Sequence, residues 1–156
     1  VKRYLNGEKA LSRMPEPEIK PQSTVQEINK EKVVLIADDS KIVDNFALKV
    51  LDGKYKGLVA LDGKEAIDII SSNKYEILAL LLDLNMPNVG GFEVLDYLKN
   101  SNHYSKIPVS IITGEDSKDM INKAFTYNIV DMLVKPFSKS DFLKVLDKTI
   151  NLTDSK

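Results

Sequence analysis

One stretch restricts the fold more than any other: Leu80-Leu81-Leu82-Asp83-Leu84-Asn85-Met86-Pro87-Asn88-Val89-Gly90-Gly91. Its leucines do not alternate with polar residues. That pattern belongs to a strand buried on both faces, as in a parallel sheet. Pro87 and the Gly90-Gly91 pair end the run at once. In an open α/β sheet the carboxyl edge of the strands is where ligands bind. Asp83 is therefore expected in a crevice at that edge.

The same grammar recurs along the chain. Val33-Val34-Leu35-Ile36-Ala37 is a first apolar strand and ends in Asp38-Asp39-Ser40. Tyr55 to Ala60 is a second, weaker strand, and Tyr75 to Asp83 holds the third. Ile107 to Thr113 is the fourth, entered through Pro108, and Met132-Leu133-Val134 a short fifth, closed by Lys135-Pro136-Phe137. Between them apolar residues return at helical spacing. The first helix, capped by Ser40 or Asp39, turns Ile42, Val43, Phe46, Ala47, Val50 and Leu51 inward, and Gly53 stops it. Ala66, Ile67 and Ile70 mark the second helix; Phe92, Leu95 and Leu98 the third; Met120, Ile121, Ala124 and Phe125 the fourth. Asn128 is expected in a left-handed conformation after the fourth helix, and Ser138 caps a fifth that carries Phe142, Leu143, Val145, Leu146 and Ile150. Strands alternating with helices imply parallel pairing and right-handed crossovers. The expected fold is α/β: a (βα)5 doubly wound, five-stranded parallel sheet of order 2-1-3-4-5 with helices on both faces. A closed eight-unit barrel needs about 250 residues, and this chain has 156.

Residues 1–31 read as an N-terminal extension or linker, because Pro15, Pro17 and Pro21 favour an extended chain. Residues 32–151 form the domain, and 152–156 a C-terminal tail. A first residue of Val1 fits a segment cut from a longer polypeptide, with residues 1–31 as a tether. The net charge of -1 supplies no field to gather nucleic acid or an anionic membrane, so neither is expected as a partner. No apolar run reaches the roughly 20 residues of a membrane-crossing helix. The absence of cysteine removes disulfides, thiol catalysis and zinc thiolates, and fits a cytoplasmic location.

In the order 2-1-3-4-5, the strand ends bring Asp38, Asp39, Asp83, Thr113 and Lys135 into one crevice. Three carboxylates together repel and are costly to desolvate, so they call for a cation. Hard oxygen ligands without His or Cys favour Mg²⁺, with Mn²⁺ as a substitute. An ammonium and a hydroxyl beside them suit the oxygens of a phosphoryl group. A carboxylate can itself be the nucleophile, forming an aspartyl-phosphate. The set reads as phosphoryl acceptance by an Asp with metal assistance. His103, in the polar stretch Ser101 to Lys106, is expected to face water.

On Ala37-Asp38-Asp39-Ser40, Leu82-Asp83-Leu84-Asn85-Met86-Pro87 with Gly91, Ile112-Thr113-Gly114, Val134-Lys135-Pro136-Phe137 and Asp62-Gly63-Lys64-Glu65-Ala66, the chain from 32 to about 150 resembles a response-regulator receiver domain, the CheY-like fold of two-component signalling. The resemblance implies that Asp83 is the phosphoacceptor. It implies that Asp38, Asp39, Asp83 and the backbone carbonyl of Asn85 hold Mg²⁺. It makes Thr113 the switch hydroxyl, pairs Lys135 with a phosphoryl oxygen, and puts a cis peptide before Pro136. It names the partner as a histidine kinase or histidine phosphotransfer protein. A homodimer through the fourth helix, fifth strand and fifth helix is a further implied partner arrangement. The domain is then no enzyme beyond catalysing its own phosphorylation and dephosphorylation.

Two departures stand out. Met132 occupies the position, three before the lysine, where the family usually has Tyr or Phe, and Met is not a two-position ring. Asn128-Ile129 replaces the common Gly-Ala. In the family the chain resembles, the positions of Asn85 and Glu115 border the path of the attacking water, so the resemblance implies fast self-dephosphorylation. Two other readings stay open at this point. One is a pseudo-receiver that binds protein without being phosphorylated. The other is a haloacid-dehalogenase-type phosphatase, which wants a second Asp two residues after the first, where this chain has Asn85.

Overall fold

In the computed structural model, residues 30–101, 106–114 and 118–154 are described, with side chains to residue 151. The extension expected over 1–31 lies outside them up to residue 29, as do His103 and Glu115. Five strands, β1 (Glu31–Ala37), β2 (Lys56–Ala60), β3 (Tyr75–Asp83), β4 (Val109–Thr113) and β5 (Met132–Val134), alternate with five helices. The helices are α1 (Lys41–Leu51), α2 (Gly63–Ser72), α3 (Gly91–Asn100), α4 (Lys118–Phe125) and α5 (Lys139–Asp154). The sheet order is β2-β1-β3-β4-β5, as the strand pattern predicts. The register is parallel: Ala37 faces Ala60, Asp83 faces Ile112, and Thr113 faces Val134.

Alternation within each strand divides the core into two. Val33, Leu35, Leu80 and Leu82 point to one face, against Ala66 and Ile70 of α2, Val94, Leu95 and Leu98 of α3, and Ala124 of α4. Val34, Ile36, Ala79 and Leu81 point to the other, against Ala47 and Leu51 of α1 and Phe142, Val145 and Leu146 of α5. Each strand is apolar on both sides because each side meets a helix layer. On the first layer α4 is fastened to α3 by the Tyr127 hydroxyl, which donates to Asp96 Oδ1 at 2.6 Å, and by Lys123 over the Phe92 ring at 4.3 Å.

Helix starts follow their caps. Ser40 Oγ accepts from the Val43 amide, and Asp62 Oδ1 from the Glu65 amide at 2.9 Å. Ser138 and Asp141 exchange bonds at the start of α5, a capping box. Two expectations are corrected. The fourth strand begins at Val109, not Ile107; Pro108 has no amide to donate, and only its carbonyl joins the sheet, accepting from Leu80 at 2.9 Å. Among the described residues the non-glycine positions with positive φ are Asn73 and Asn88, not Asn128. Asn73 closes α2, and Asn88 lies in the loop after β3, where its side-chain amide donates to Asp62 Oδ2 at 3.3 Å.

Candidate functional site

Each side chain of the site stands at a strand's carboxyl end. After β1, Asp38 is tied on both sides. Its amide donates to the Ala60 carbonyl of β2, and its Oδ1 accepts from the Ser40 amide at 2.8 Å. The carboxylate is thus fixed by the same turn that starts α1. Asp39 beside it is exposed and Asp38 fully buried. After β3, Asp83 is 3% exposed, and its Oδ1 accepts from the Asn85 amide at 3.1 Å. Asn85 itself is exposed.

The loop that follows depends on two close approaches. A Cβ on Gly91 would lie 2.4 Å from the Asp83 carbonyl oxygen, and one on Gly63 would lie 2.5 Å from the Val89 carbonyl oxygen. Only glycine lets α3 start directly under the end of β3, and only glycine lets the loop touch the start of α2. The Gly63 amide donates to the Val89 carbonyl at 2.8 Å, so the two loops brace each other.

Thr113 is fully buried at the end of β4. Its carbonyl accepts from the Lys135 amide at 2.8 Å, which sets the lysine beside it. The Lys135-Pro136 peptide is cis, as expected. From there Lys135 Nζ reaches Asp38 Oδ2 at 2.9 Å and Asp83 Oδ2 at 3.2 Å. The contact to Asp38 is an ion pair off the hydrogen-bonding direction, for Asp38 Oδ2 has no well-formed hydrogen bond. Asp38, Asp39 and Asp83 each offer an oxygen, all within 4.8 Å of one another. A buried oxygen held by an ion pair but by no well-formed hydrogen bond, among three hard donors, fits a small divalent cation such as Mg²⁺.

The electrostatics agree. Burial raises the Asp83 pKa from 3.8 to about 6; the Asn85 amide and Lys135 pull it down, but not enough to offset burial and the neighbouring Asp38 charge. Burial favours the neutral amine at Lys135, yet its pairing with Asp38 and Asp83 outweighs this and holds the ammonium above its ordinary pKa. The lysine is therefore a fixed positive charge, and the carboxyls around it are short of one.

Met132, paired in register with Ile111, is half-buried against the α2–α3–α4 core face. Sequence reasoning missed one residue, Asp44. It is 4% exposed and takes the inward position on α1 with Ala47 and Leu51, whereas Ile42, expected inward, is 82% exposed. The signal was a charged residue in the stripe position three before Ala47 and seven before Leu51. Ile42 instead joins Val43, Phe46, Lys135, Pro136 and Phe137 around an open apolar cavity of about 440 Å³ beside the lysine.

The family model "Response regulator receiver domain" matches residues 34–147. The two-component response regulator ORR3 of Oryza sativa is 30% identical over 77% of this chain and 92% of its own length. The CAI-1 autoinducer sensor kinase/phosphatase CqsS of Vibrio cholerae is 31% identical over 76% of this chain, and this chain spans only 17% of it. A probable cyclic di-GMP phosphodiesterase of the same organism is likewise spanned over 23% of its length. Among solved structures, the receiver domain of Francisella response regulator 1452 superposes with a TM-score of 0.67 at 30% identity, covering 80% of this chain and 99% of that one. Vibrio cholerae chemotaxis protein CheY4 superposes with a TM-score of 0.66 at 28% identity, covering 77% and 98%.

Proposed function

The chain belongs to the response regulator receiver domain family of two-component signalling, and from that premise we propose that it accepts a phosphoryl group on Asp83 in a Mg²⁺-dependent reaction and changes conformation to control an output partner or domain. The observation that carries this reading is the ammonium of Lys135, held between Asp38 Oδ2 and Asp83 Oδ2 at the edge where the sheet opens. The donor is a phosphohistidine of a histidine kinase or phosphotransfer protein. An Asp83 oxygen forms the new bond to phosphorus as the donor's N–P bond breaks. Lys135 then faces a phosphoryl oxygen in place of a carboxylate, and its fixed charge offsets the negative charge that arrives. Asp38, Asp39, Asp83 and the Asn85 carbonyl hold Mg²⁺, which supplies positive charge to the phosphoryl oxygens when bound.

The apolar cavity around Ile42, Phe46 and Phe137 adjoins Lys135. A donor protein must cover this surface to reach Asp83, and exposed Ile42 suits such a contact. Thr113 is the hydroxyl that follows the phosphoryl group, and Met132 gives the readout a flexible thioether instead of a ring. Asn85 and Glu115 tune the loss of phosphate. Dimerisation through α4, β5 and α5 belongs to the same reading.

Incubation with acetyl phosphate and Mg²⁺, followed by intact mass measurement, tests it. The protein is expected to gain one phosphoryl group labile to alkali and hydroxylamine, and Asp83→Asn or removal of Mg²⁺ to abolish it. A protein that stays unmodified under these conditions is a binding module. One that also turns over ordinary phosphomonoesters such as p-nitrophenyl phosphate is a phosphatase.

A further inference from the structure

The crevice holds a fourth carboxylate that the phosphoacceptor reading does not use. Asp44 lies on the first turn of α1, 4% exposed, and neither Oδ1 nor Oδ2 has a hydrogen-bond partner. It is not needed to start the helix. Ser40 Oγ already caps it, and the Asp44 amide bonds the Ser40 carbonyl at 2.9 Å. Its carboxylate oxygens accept from none of the amides of that first turn. The charges acting on Asp44 are those of the crevice: Asp38, Lys135, Asp39 and Asp83. Burial first, and Asp38 second, push its pKa from 3.8 to about 7. Among the described residues the crevice ammonium is that of Lys135, engaged 2.9 Å from Asp38 and 3.2 Å from Asp83. Asp44 thus takes an apolar stripe position, buried and without a hydrogen-bond partner, within electrostatic reach of three carboxylates arranged for a cation.

We propose that Asp44 is an outer-sphere partner of the divalent-cation site of Asp38, Asp39 and Asp83, its two free oxygens accepting hydrogen bonds from water on the ion. The inference rests on the reading of those three carboxylates as the metal site. Mg²⁺ in proteins keeps several of its waters, which offers such a carboxylate something to bond. Groups that hold a metal site from the second layer commonly change affinity by about 10–100-fold when removed. The unphosphorylated protein should therefore bind the ion more tightly than its three direct carboxylates alone allow.

Calorimetric titration of Mg²⁺ into the unphosphorylated full chain at mildly alkaline pH tests this, for the wild type, Asp44→Asn and Asp44→Leu. Thermal melts in excess chelator run alongside. Both variants are expected to bind Mg²⁺ about 10–100-fold more weakly. Both should melt no lower than the wild type without metal, since each removes an unpartnered buried carboxylate. Unchanged or tighter binding by Asp44→Asn overturns the inference. So does a weakening that comes with a lower metal-free melting temperature in both variants, which marks a packing role. If the wild type takes up no Mg²⁺, the underlying metal site falls and this inference with it. If the wild type binds and the variants match it, only the part given to Asp44 fails.

Discussion

Leu82 and Asp83 are neighbours on one strand and almost equally buried, at 0% and 3% exposure. Leu82 lies in an apolar cluster with residues of β1, β4 and three helices. Asp83 lies with Asp38 and one shared ammonium, within a crevice whose charges also act on buried Asp44. Burial stabilises the first by roughly 25 cal/mol per Å² of apolar surface. It raises the free energy of the second, because a carboxylate gives up water without full compensation. The body of the sheet therefore holds the fold together, while its carboxyl rim is kept short of positive charge.

The largest expected effect comes from setting those two neighbours against each other. Leu82→Ala should lower the unfolding free energy by about 2–5 kcal/mol. Asp83→Asn, close in shape and still able to accept from Lys135, should not lower it in metal-free protein at neutral pH, since it removes a carboxylate that burial disfavours. Urea denaturation of both variants measures this, and equal losses would break the contrast between body and rim.

A medium effect follows from pH. Asp83 and Asp44 have folded-state pKa values of about 6 and about 7, raised above 3.8 chiefly by burial. Between the unfolded and folded values the native state binds more protons than the unfolded chain, so stability falls as pH rises. Their contribution is fully present below the unfolded value of 3.8 and lost as pH climbs through about 6 and then about 7. Metal-free protein melted across this window should lose several degrees attributable to these groups, and the double variant Asp44→Asn/Asp83→Asn should lose much less. A slope that is the same in both would remove the strained rim from the account.

The smallest effect belongs to charge in water. Lys64 and Asp68 pair at 3.1 Å on α2, with side chains 67% and 62% exposed. Asp68→Ala should cost only about 0.3–0.5 kcal/mol and nothing measurable in high salt. Paired denaturation curves at low and high ionic strength check it, and a loss approaching that of Leu82→Ala would contradict the contrast.

The strands were legible because each is an unbroken apolar run closed by a polar or turn-forming residue, and that pattern also marked Asp38, Asp39, Asp83, Thr113 and Lys135 as edge residues. Sequence order alone put them at one rim, since a parallel sheet returns every strand to the same edge. Lys135 bridging Asp38 and Asp83 was beyond that reach. It depends on how far a long side chain extends and on the Thr113–Lys135 backbone bond that seats it. The start of β4 was misjudged by two residues, because apolar character extends through Ile107 while the ladder needs an amide that Pro108 lacks.

By itself the sequence determined which segments pair, that the sheet is covered on both faces, and which edge gathers the polar strand ends, because alternation, turn residues and charge are local properties of the chain. Only the tertiary structure decided that Asp44 points inward and Ile42 outward. Residues two apart on a helix differ by about 200° around its axis. Which of them meets the sheet is fixed by the rotation of α1, and that rotation is set by the summed packing of Ala47, Leu51 and their partners on β1, β3 and α5. A single residue's polarity cannot override that sum, so a carboxylate was carried into the crevice and an isoleucine left at its mouth.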